Sequence, residues 1–469
     1  MQIFEGARLI VGDNFAPIEN SAFILDGDKF GIVGRAGDIE TPPGAQRVDL
    51  TGKTVMPNLI DVHTHLGWWD GLTHGPQNYS RENIQIQLDR FAYAGVSAVL
   101  DLGVTTVGET IYEVLAEQQA PGRPLLRSAG HGIVPPGGGP FGPMAEGLHH
   151  AGNPAEARDA VKKLADHGIT VAKFWAGSRM GAPGMAPETY RALIDEAHQH
   201  GMLTYVDDAQ IPPIAGPPVD VKDIIRAGLD GYAHAGSLWI KGDMDDELLG
   251  LLAARPNFFV MSTMVWLGRS GHRDRILSEP LFTEMYPARV RDRFATALED
   301  GKWLSFVLTG ADTAPEQARA ATAAAPRNYA SLGFDRKIWQ ASKRNWASLR
   351  DAGVRIGLGS DHGGGLPFHG VSAHLELENL VAMGFSPAEA ILVATRNGAD
   401  FLQADLGVVA AGKSADFLVL DANPLENIAN TRRISDVYIR GQRVDREALR
   451  RQPGWLGTHE QAAMIGANA

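Results

Sequence analysis

The sequence contains no cysteine. That absence excludes disulfides, thiolate metal sites and cysteine nucleophiles together, so any metal must be held by nitrogen and oxygen, a ligand set that suits zinc, manganese or cobalt. Positive charge is also scarce. Lys and Arg number 43 against 55 Asp and Glu, the formal net charge is −12, and no basic run stands out. Such a surface does not neutralise phosphates, and nucleic acid is not an expected partner. No window reaches the roughly 18 apolar residues of a membrane span. The opening MQIFEGARLIVGDN alternates like a strand and lacks a basic start followed by an apolar core. A cytoplasmic protein without a membrane partner is expected. A glycine-rich phosphate turn is missing too, which argues against a doubly wound nucleotide-binding sheet.

What is present is enough apolar residue for a large core: 469 residues, 44 % of them hydrophobic, suit one large domain with a satellite, or two to three ordinary ones. Residues 1–56 read as short β segments (QIFEGARLIV, SAFILDGDKFGIVG, QRVDLTGKTVMP) broken by Gly, Asp and Pro. From Asn58 onward, brief apolar strands alternate with helix-length amphipathic segments: VSAVLDLG, GITVAKFW, GMLTYVDD, GLDGYAHA, NFFVMSTMV and GVRIGLGSD mark the strands. A run of β/α units with polar residues at the strand ends suits a (β/α)8 TIM barrel over residues 57–401. Residues around 268–345 are charged, Ala-rich and helical in pattern, too long for an ordinary connection, and read as a helical insertion over the barrel mouth. After Leu402 the text returns to β character, so 1–56 plus 402–445 are expected to form a small discontinuous β-sandwich domain, with 446–469 as a C-terminal tail.

Alternate strand residues point the same way, so His63 and His65 in DVHTH face one side and can share a metal ion. Buried histidines bonded to backbone offer the bland explanation of the same pair. Lys173 stands inside the apolar strand ITVAKFWAG, where a bare ammonium is costly to bury. It is either a lysine snorkelling from the strand end or a chemically modified, anionic lysine bridging two metals. His234 in GYAHAG and Asp361 in LGSDHGGG also fall at strand ends. A carboxylate at the latter position can bind metal and take a proton from water. Five such residues at successive strand ends are hard to assign to packing.

With GKTVMPNLIDVHTH, AKFWAG, EAHQHGMLTYVDD, GLDGYAHAGSL, GVRIGLGSD, HLELENLVAMGFSPAEAILVATRNGADFL and LGVVAAGKSADFLVLDANPLENI, the sequence resembles the amidohydrolase superfamily over nearly its whole length. These are metal-dependent hydrolases on a (β/α)8 barrel, and the resemblance is closest to the imidazolonepropionase and prolidase-like branch. It implies that His63 and His65 bind the more buried metal, that Lys173 is N6-carboxylated and bridges, that His234 binds the more exposed metal, and that Asp361 is both ligand and proton shuttle. Glu376 matches a family position near the barrel mouth. Two places depart from the pattern. The fifth strand ends in Asp207, followed by Asp208, where the family has histidine, which leaves both a single ion and a two-metal centre open. The loop RSAGHGIVPPGGGPFG lacks the histidine that usually follows paired glycines, and His131 lies earlier.

Tryptophans gather just past the expected strand ends: Trp68, Trp69, Trp175, Trp239 and Trp266. They are read as apolar pocket walls, with rim packing as the alternative for each. Cations that would bind a free substrate carboxylate are few there, Arg179, Lys241 and Arg269 being the candidates. His362 and His369 are candidates for orienting a leaving group or are loop histidines, while His149 and His150 read as solvated. The expectation is therefore hydrolysis of a C–N bond in a small, apolar or aromatic amide, carbamate or urea, with one or two divalent ions, zinc first and Mn2+ or Co2+ next, and Asp361 as proton shuttle. The analogy is to superfamily members acting on phenylurea, thiocarbamate or ochratoxin-type substrates. A prolidase-like dipeptidase, a lyase or isomerase, and a non-catalytic scaffold are the rivals. A homo-oligomer is expected.

Overall fold

The structure, a computed structural model, describes residues 1–70, 74–117, 122–140, 142–179, 181–208, 215–234, 244–264, 278–286, 288, 290–292, 336–363 and 368–455. Strands from the two ends of the chain share one sheet. Phe417–Leu420 lies antiparallel between Thr54–Pro57 and Ile434–Ile439, with Arg8–Leu9 and Gln442–Arg443 at the edges. A second sheet has Gln2–Glu5 between Ser21–Asp26 and Gln46–Asp49, and Lys29–Arg35 outside Ser21–Asp26. Alternation along Phe417–Leu420 explains how it joins two cores. Phe417 and Val419 enter a small core with Phe4, Phe23, Phe30 and Tyr438, while Leu418 and Leu420 enter the large one. The Phe417 and Tyr438 rings stack at 4.4 Å, and Phe4 lies edge-on to both.

Between these segments the strands run parallel, with helices between successive pairs. Leu59–Thr64, Val96–Asp101 and Leu125–Ser128 are neighbours in one parallel sheet. Val171–Trp175, Leu203–Asp207, Gly231–Tyr232, Phe259–Met261 and Arg355–Gly357 follow in order in another, extended by the short Ile133–Val134 and His149–His150. Apart from those two short strands, they are first to eighth in chain order, and the sequence pattern marked all of them but the third, Leu125–Ser128. The last segment also lies against the first: Val62 N–H donates to Leu358 O, Ser360 and Asp361 N–H to His63 O, and His65 N–H to His362 O.

Several helices start where the sequence offers an oxygen cap. Asn153 accepts from Ala155 and Glu156 ahead of Pro154–Asp166, and Ser386 with Glu389 forms a capping box ahead of Pro387–Ala394, each with proline at the first position. Along the fourth strand, Ala172 and Phe174 pack into the large core with the helix residues Leu164, Leu193 and Ala197. Lys173 consequently faces the opposite way, with Val171 and Trp175. Of the segment expected as a helical insertion, the helices Pro280–Met285 and Arg336–Asp351 are described and most of the rest lies outside the described residues. The segment expected as a tail begins with the helix Arg446–Arg451, and Trp455 beyond it is buried against Tyr93, its ring nitrogen donating to Met285 O. Residues 456–469 lie outside the described part.

Candidate metal centre at the strand ends

His63 and His65 close the first strand, Lys173 sits in the fourth, Asp207 ends the fifth, His234 follows the sixth and Asp361 follows the eighth. Parallel pairing brings these ends to one side. Ligand atoms of His63, His234 and Asp361 all lie within 4.8 Å of one another, the spacing of groups that can hold a common ion. Asp361 Oδ1 is 3.1 Å from His65 Nε2 and 3.4 Å from His63 Nε2, and Asp361 Oδ2 is 3.9 Å from His234 Nδ1.

The surroundings fix how each group is presented. His63 donates Nδ1–H to Ala233 O at 2.8 Å, which leaves Nε2 with its lone pair, fully buried and with no hydrogen-bond partner among the described residues. Burial, followed by the neighbouring His234, holds this ring well below the ordinary histidine pKa, so it is neutral. Burial pushes the Asp361 carboxyl up, but His234, His65 and His63 outweigh it and keep it below the usual carboxylate range, so it is ionised. The Asp361 backbone is left-handed, φ 54°, a conformation that aspartate tolerates better than most residues and that recurs at functional sites. Gly363 follows at φ 95°, and a Cβ there would lie 1.6 Å from His65 O, so only glycine lets this loop cross the first strand.

Beneath the centre lies Asp61, which the sequence reading passed over. Its carboxylate accepts from Ser360 Oγ–H, Ser360 N–H and His63 N–H, tying the first and eighth strands together. Burial pushes its pKa up to about 7 against those hydrogen bonds. The signal was present: DVHTH places Asp61 two residues before His63 and four before His65, on one face. Asp101 is a second such carboxylate, accepting from Leu66 N–H and Ser128 Oγ–H.

Lys173 is fully buried, its Nζ has no hydrogen-bond partner among the described residues, and it lies 4.9 Å from the centre of the Trp175 ring. Burial lowers its pKa to about 8, against the pull of Asp207 and Asp361. Asp207 Oδ2 is 2.5 Å from Arg179 Nη2 and 3.6 Å from His234 Nε2. Arg179 had been singled out as a cation for substrate; its pairing with Asp207 depends on a turn that no strand pattern announces.

The other candidates fall as follows. Trp68 and Trp69 are fully buried: Trp68 donates to Val104 O and stacks on His74 at 5.6 Å, and both pack in one apolar cluster with Trp175, Phe282 and Phe368. Trp239, Trp266, Lys241 and Arg269 lie outside the described residues. His362 is buried beside Phe368, with Nδ1 3.0 Å from Ser360 O, and His369 Nε2 is 3.3 Å from His65 O. Glu376 accepts from Met264 N–H at 2.8 Å, holding the end of the seventh strand. His131 is buried and 2.7 Å from Thr105 Oγ1. His149 was expected to be solvated; it is instead half-buried, because the short strand it forms packs its ring against His131 at 5.4 Å, while His150 is exposed.

The buried Nε2 of His63, the ionised Asp361 oxygen beside it, and the absence of any thiol fit a divalent ion with nitrogen and oxygen ligands. Over 123 residues the chain is 28 % identical to the imidazolonepropionase of Pseudomonas aeruginosa, a match spanning 26 % of this chain and 29 % of that one, so less than a third of the relative's length is covered. The fold resembles that of molinate hydrolase, TM-score 0.69 at 17 % identity over 96 % of both chains. It also resembles that of a Xaa-Pro dipeptidase solved with methionine in its active site, TM-score 0.66 at 20 % identity over 94 % of this chain and 99 % of that one. The amidohydrolase family model matches residues 54–444, most of the sequence and every strand that carries a candidate ligand, and the chain belongs to that family.

Proposed function

We propose that this protein is a metal-dependent hydrolase that cleaves the C–N bond of a small apolar or aromatic amide, carbamate or urea. The convergence of His63, His234 and Asp361, with His65 Nε2 on the same Asp361 oxygen, carries the reading. The eighth segment's hydrogen bonds to the first strand support closure of the parallel strands into a (β/α)8 barrel, with residues 1–56 and 402–445 as the small β domain.

His63, His65, His234 and Asp361 would hold a divalent ion, zinc first, with a carboxylated Lys173 as a further oxygen ligand. The buried Nζ, without a hydrogen-bond partner among the described residues and with its pKa lowered to about 8, suits an amine that is partly neutral and able to add carbon dioxide. When bound, the ion supplies acidification of water and polarisation of the scissile carbonyl. Asp361, ionised, accepts the proton of the attacking water and delivers it to the leaving nitrogen, so that water adds across the bond to give an acid and an amine. The His63–Ala233 hydrogen bond holds the first strand to the end of the sixth, and the Asp61–Ser360 pair holds the first to the eighth, so that the groups stay aligned for this transfer. Trp175, its ring centroid 4.9 Å from Lys173 Nζ, supports an apolar wall beside the site.

Arg179 is paired with Asp207, which favours a neutral substrate over the free carboxylate of a dipeptide. The test is a turnover screen of aryl amides, ureas, carbamates and dipeptides in oxygen-18 water. Hydrolysis places solvent oxygen in the product acid and is lost on chelation. A product free of solvent oxygen would point to a lyase or isomerase, and turnover that survives complete metal removal would sink the reading.

A further inference from the structure

We propose that the Arg179–Asp207 ion pair takes the place of a second metal ion, so that the centre binds one ion per chain. This rests on the metal-dependent reading above and deepens it. A second ion at the ends of the fifth and sixth strands would draw on Asp207 and His234. Those two residues do face each other, Asp207 Oδ2 lying 3.6 Å from His234 Nε2. The same oxygen, however, already carries the Arg179 guanidinium at 2.5 Å. Both side chains are more than nine-tenths buried, so water screens the pair poorly. A guanidinium does not give up its charge in a protein. A dication on Oδ2 would therefore have to displace a fixed cation or sit directly beside it.

The arginine is built into that position. The fourth-strand loop turns back on itself, Arg179 N–H donating to Ala182 O at 3.2 Å and Ala182 N–H to Arg179 O at 2.9 Å. Ser178 Oγ–H donates to Ala182 O and accepts from Ala215 N–H, both at 2.8 Å, so the turn is tied to the stretch after the fifth strand as well. Placing aspartate where the family pattern has histidine thus goes with a cation from the neighbouring loop: the carboxylate's charge is met by Arg179, and His63, His65, His234 and Asp361 are left to hold one ion.

The experiment is metal counting on the full chain. Protein stripped with chelator is loaded with excess Mn2+ or Zn2+, desalted and analysed by mass spectrometry of the metal, and the Mn2+ form is examined by electron paramagnetic resonance. Wild type is expected to retain one equivalent and to give the spectrum of an isolated ion. Arg179→Met, which removes the guanidinium from the Asp207 carboxylate, is expected to retain two and to show a spin-coupled pair. Two equivalents in wild type overturn the proposal while leaving the hydrolase reading intact, and one equivalent in folded Arg179→Met overturns it as well. The wild-type count needs no variant and decides the matter even if Arg179→Met does not fold. No retained metal in wild type overturns the underlying metal-dependent reading itself, which separates the two failures.

Discussion

The Nδ1–H of His63 donates to the main-chain oxygen of Ala233 at 2.8 Å, joining the first strand to the end of the sixth. One hydrogen bond thereby fixes both the tautomer and the direction of the ring, and Nε2 is the nitrogen turned toward Asp361. Loss of an outer partner of a metal ligand typically weakens metal binding ~10–100-fold. Loss of the ligand itself should exceed that. His63→Ala is expected to lower metal affinity by about 100-fold or more with the circular dichroism spectrum preserved; competition against a fluorescent chelator measures it, and unchanged affinity would remove His63 from the ligand set.

Asp361 is asked to do two things, and one substitution separates them. Asparagine keeps an oxygen at the Asp361 position for the ion but has no carboxylate to accept a proton. General base catalysis contributes roughly 10²–10⁴-fold. Asp361→Asn should therefore lose at least about 100-fold in kcat while retaining most of its metal. Full activity with metal bound would exclude the proton-shuttle role.

The parts of this site that sequence alone made legible are those set by local pattern. Apolar runs such as VSAVLDLG and GITVAKFW gave away Val96–Asp101 and Val171–Trp175, and a polar residue ending such a run, as His234 and Asp361 do, is conspicuous against it. What depended on the meeting of distant segments was not legible. Arg179 reaches Asp207 only because a turn at Ser178–Ala182 aims it. Asp61 becomes a clamp only when Ser360 arrives from 299 positions away. Trp68 and Trp69 could be counted as aromatic near a strand end, but their burial against His74 is a property of the loop's path.

Gly363 tests that path. An alanine there meets His65 O and also occupies a left-handed backbone, which alone costs about 1–2 kcal/mol. Gly353→Ala supplies the control: its φ is 71°, yet no atom of the described residues lies within 4 Å of the added carbon. Both variants should melt earlier than wild type. Only Gly363→Ala should also lose metal affinity, since only there does the clash move a ligand. Equal metal binding in the two variants would show that the loop crossing does not position His65.

Phe417 sits where the two ends of the chain meet, fully buried against Phe4, Phe23, Phe30 and Tyr438. Truncating a buried phenylalanine to alanine costs about 3–5 kcal/mol. Phe417→Ala should therefore shift the denaturant midpoint strongly downward. If the shift were no larger than that of an exposed Phe15→Ala variant, the small aromatic core would not be holding the termini together.

The last prediction concerns acid. His374 is fully buried in the helix Val371–Ala382, its Nε2 2.8 Å from Ala94 O and its Nδ1 3.0 Å from Thr431 Oγ1. Burial lowers its pKa from 6.5 to about 3, with Arg432 and Arg446 adding to the shift and the Ala94 hydrogen bond opposing it. The unfolded chain therefore binds a proton between those values that the folded chain refuses, so stability is complete above pH 6.5 and is lost as pH falls toward 3. At pH 5 the solution lies about 1.5 units below the unfolded pKa and well above the folded one, which at 1.36 kcal/mol per unit amounts to ~2 kcal/mol. His374→Gln removes the titration while keeping a polar side chain. Urea unfolding at pH 7.5 and pH 5 should show a stability loss about 2 kcal/mol smaller in the variant than in wild type. An identical loss in both would mean that the acid sensitivity of this fold resides elsewhere, with His74 and His149, both lowered to about 4 by burial, as the next rings to replace.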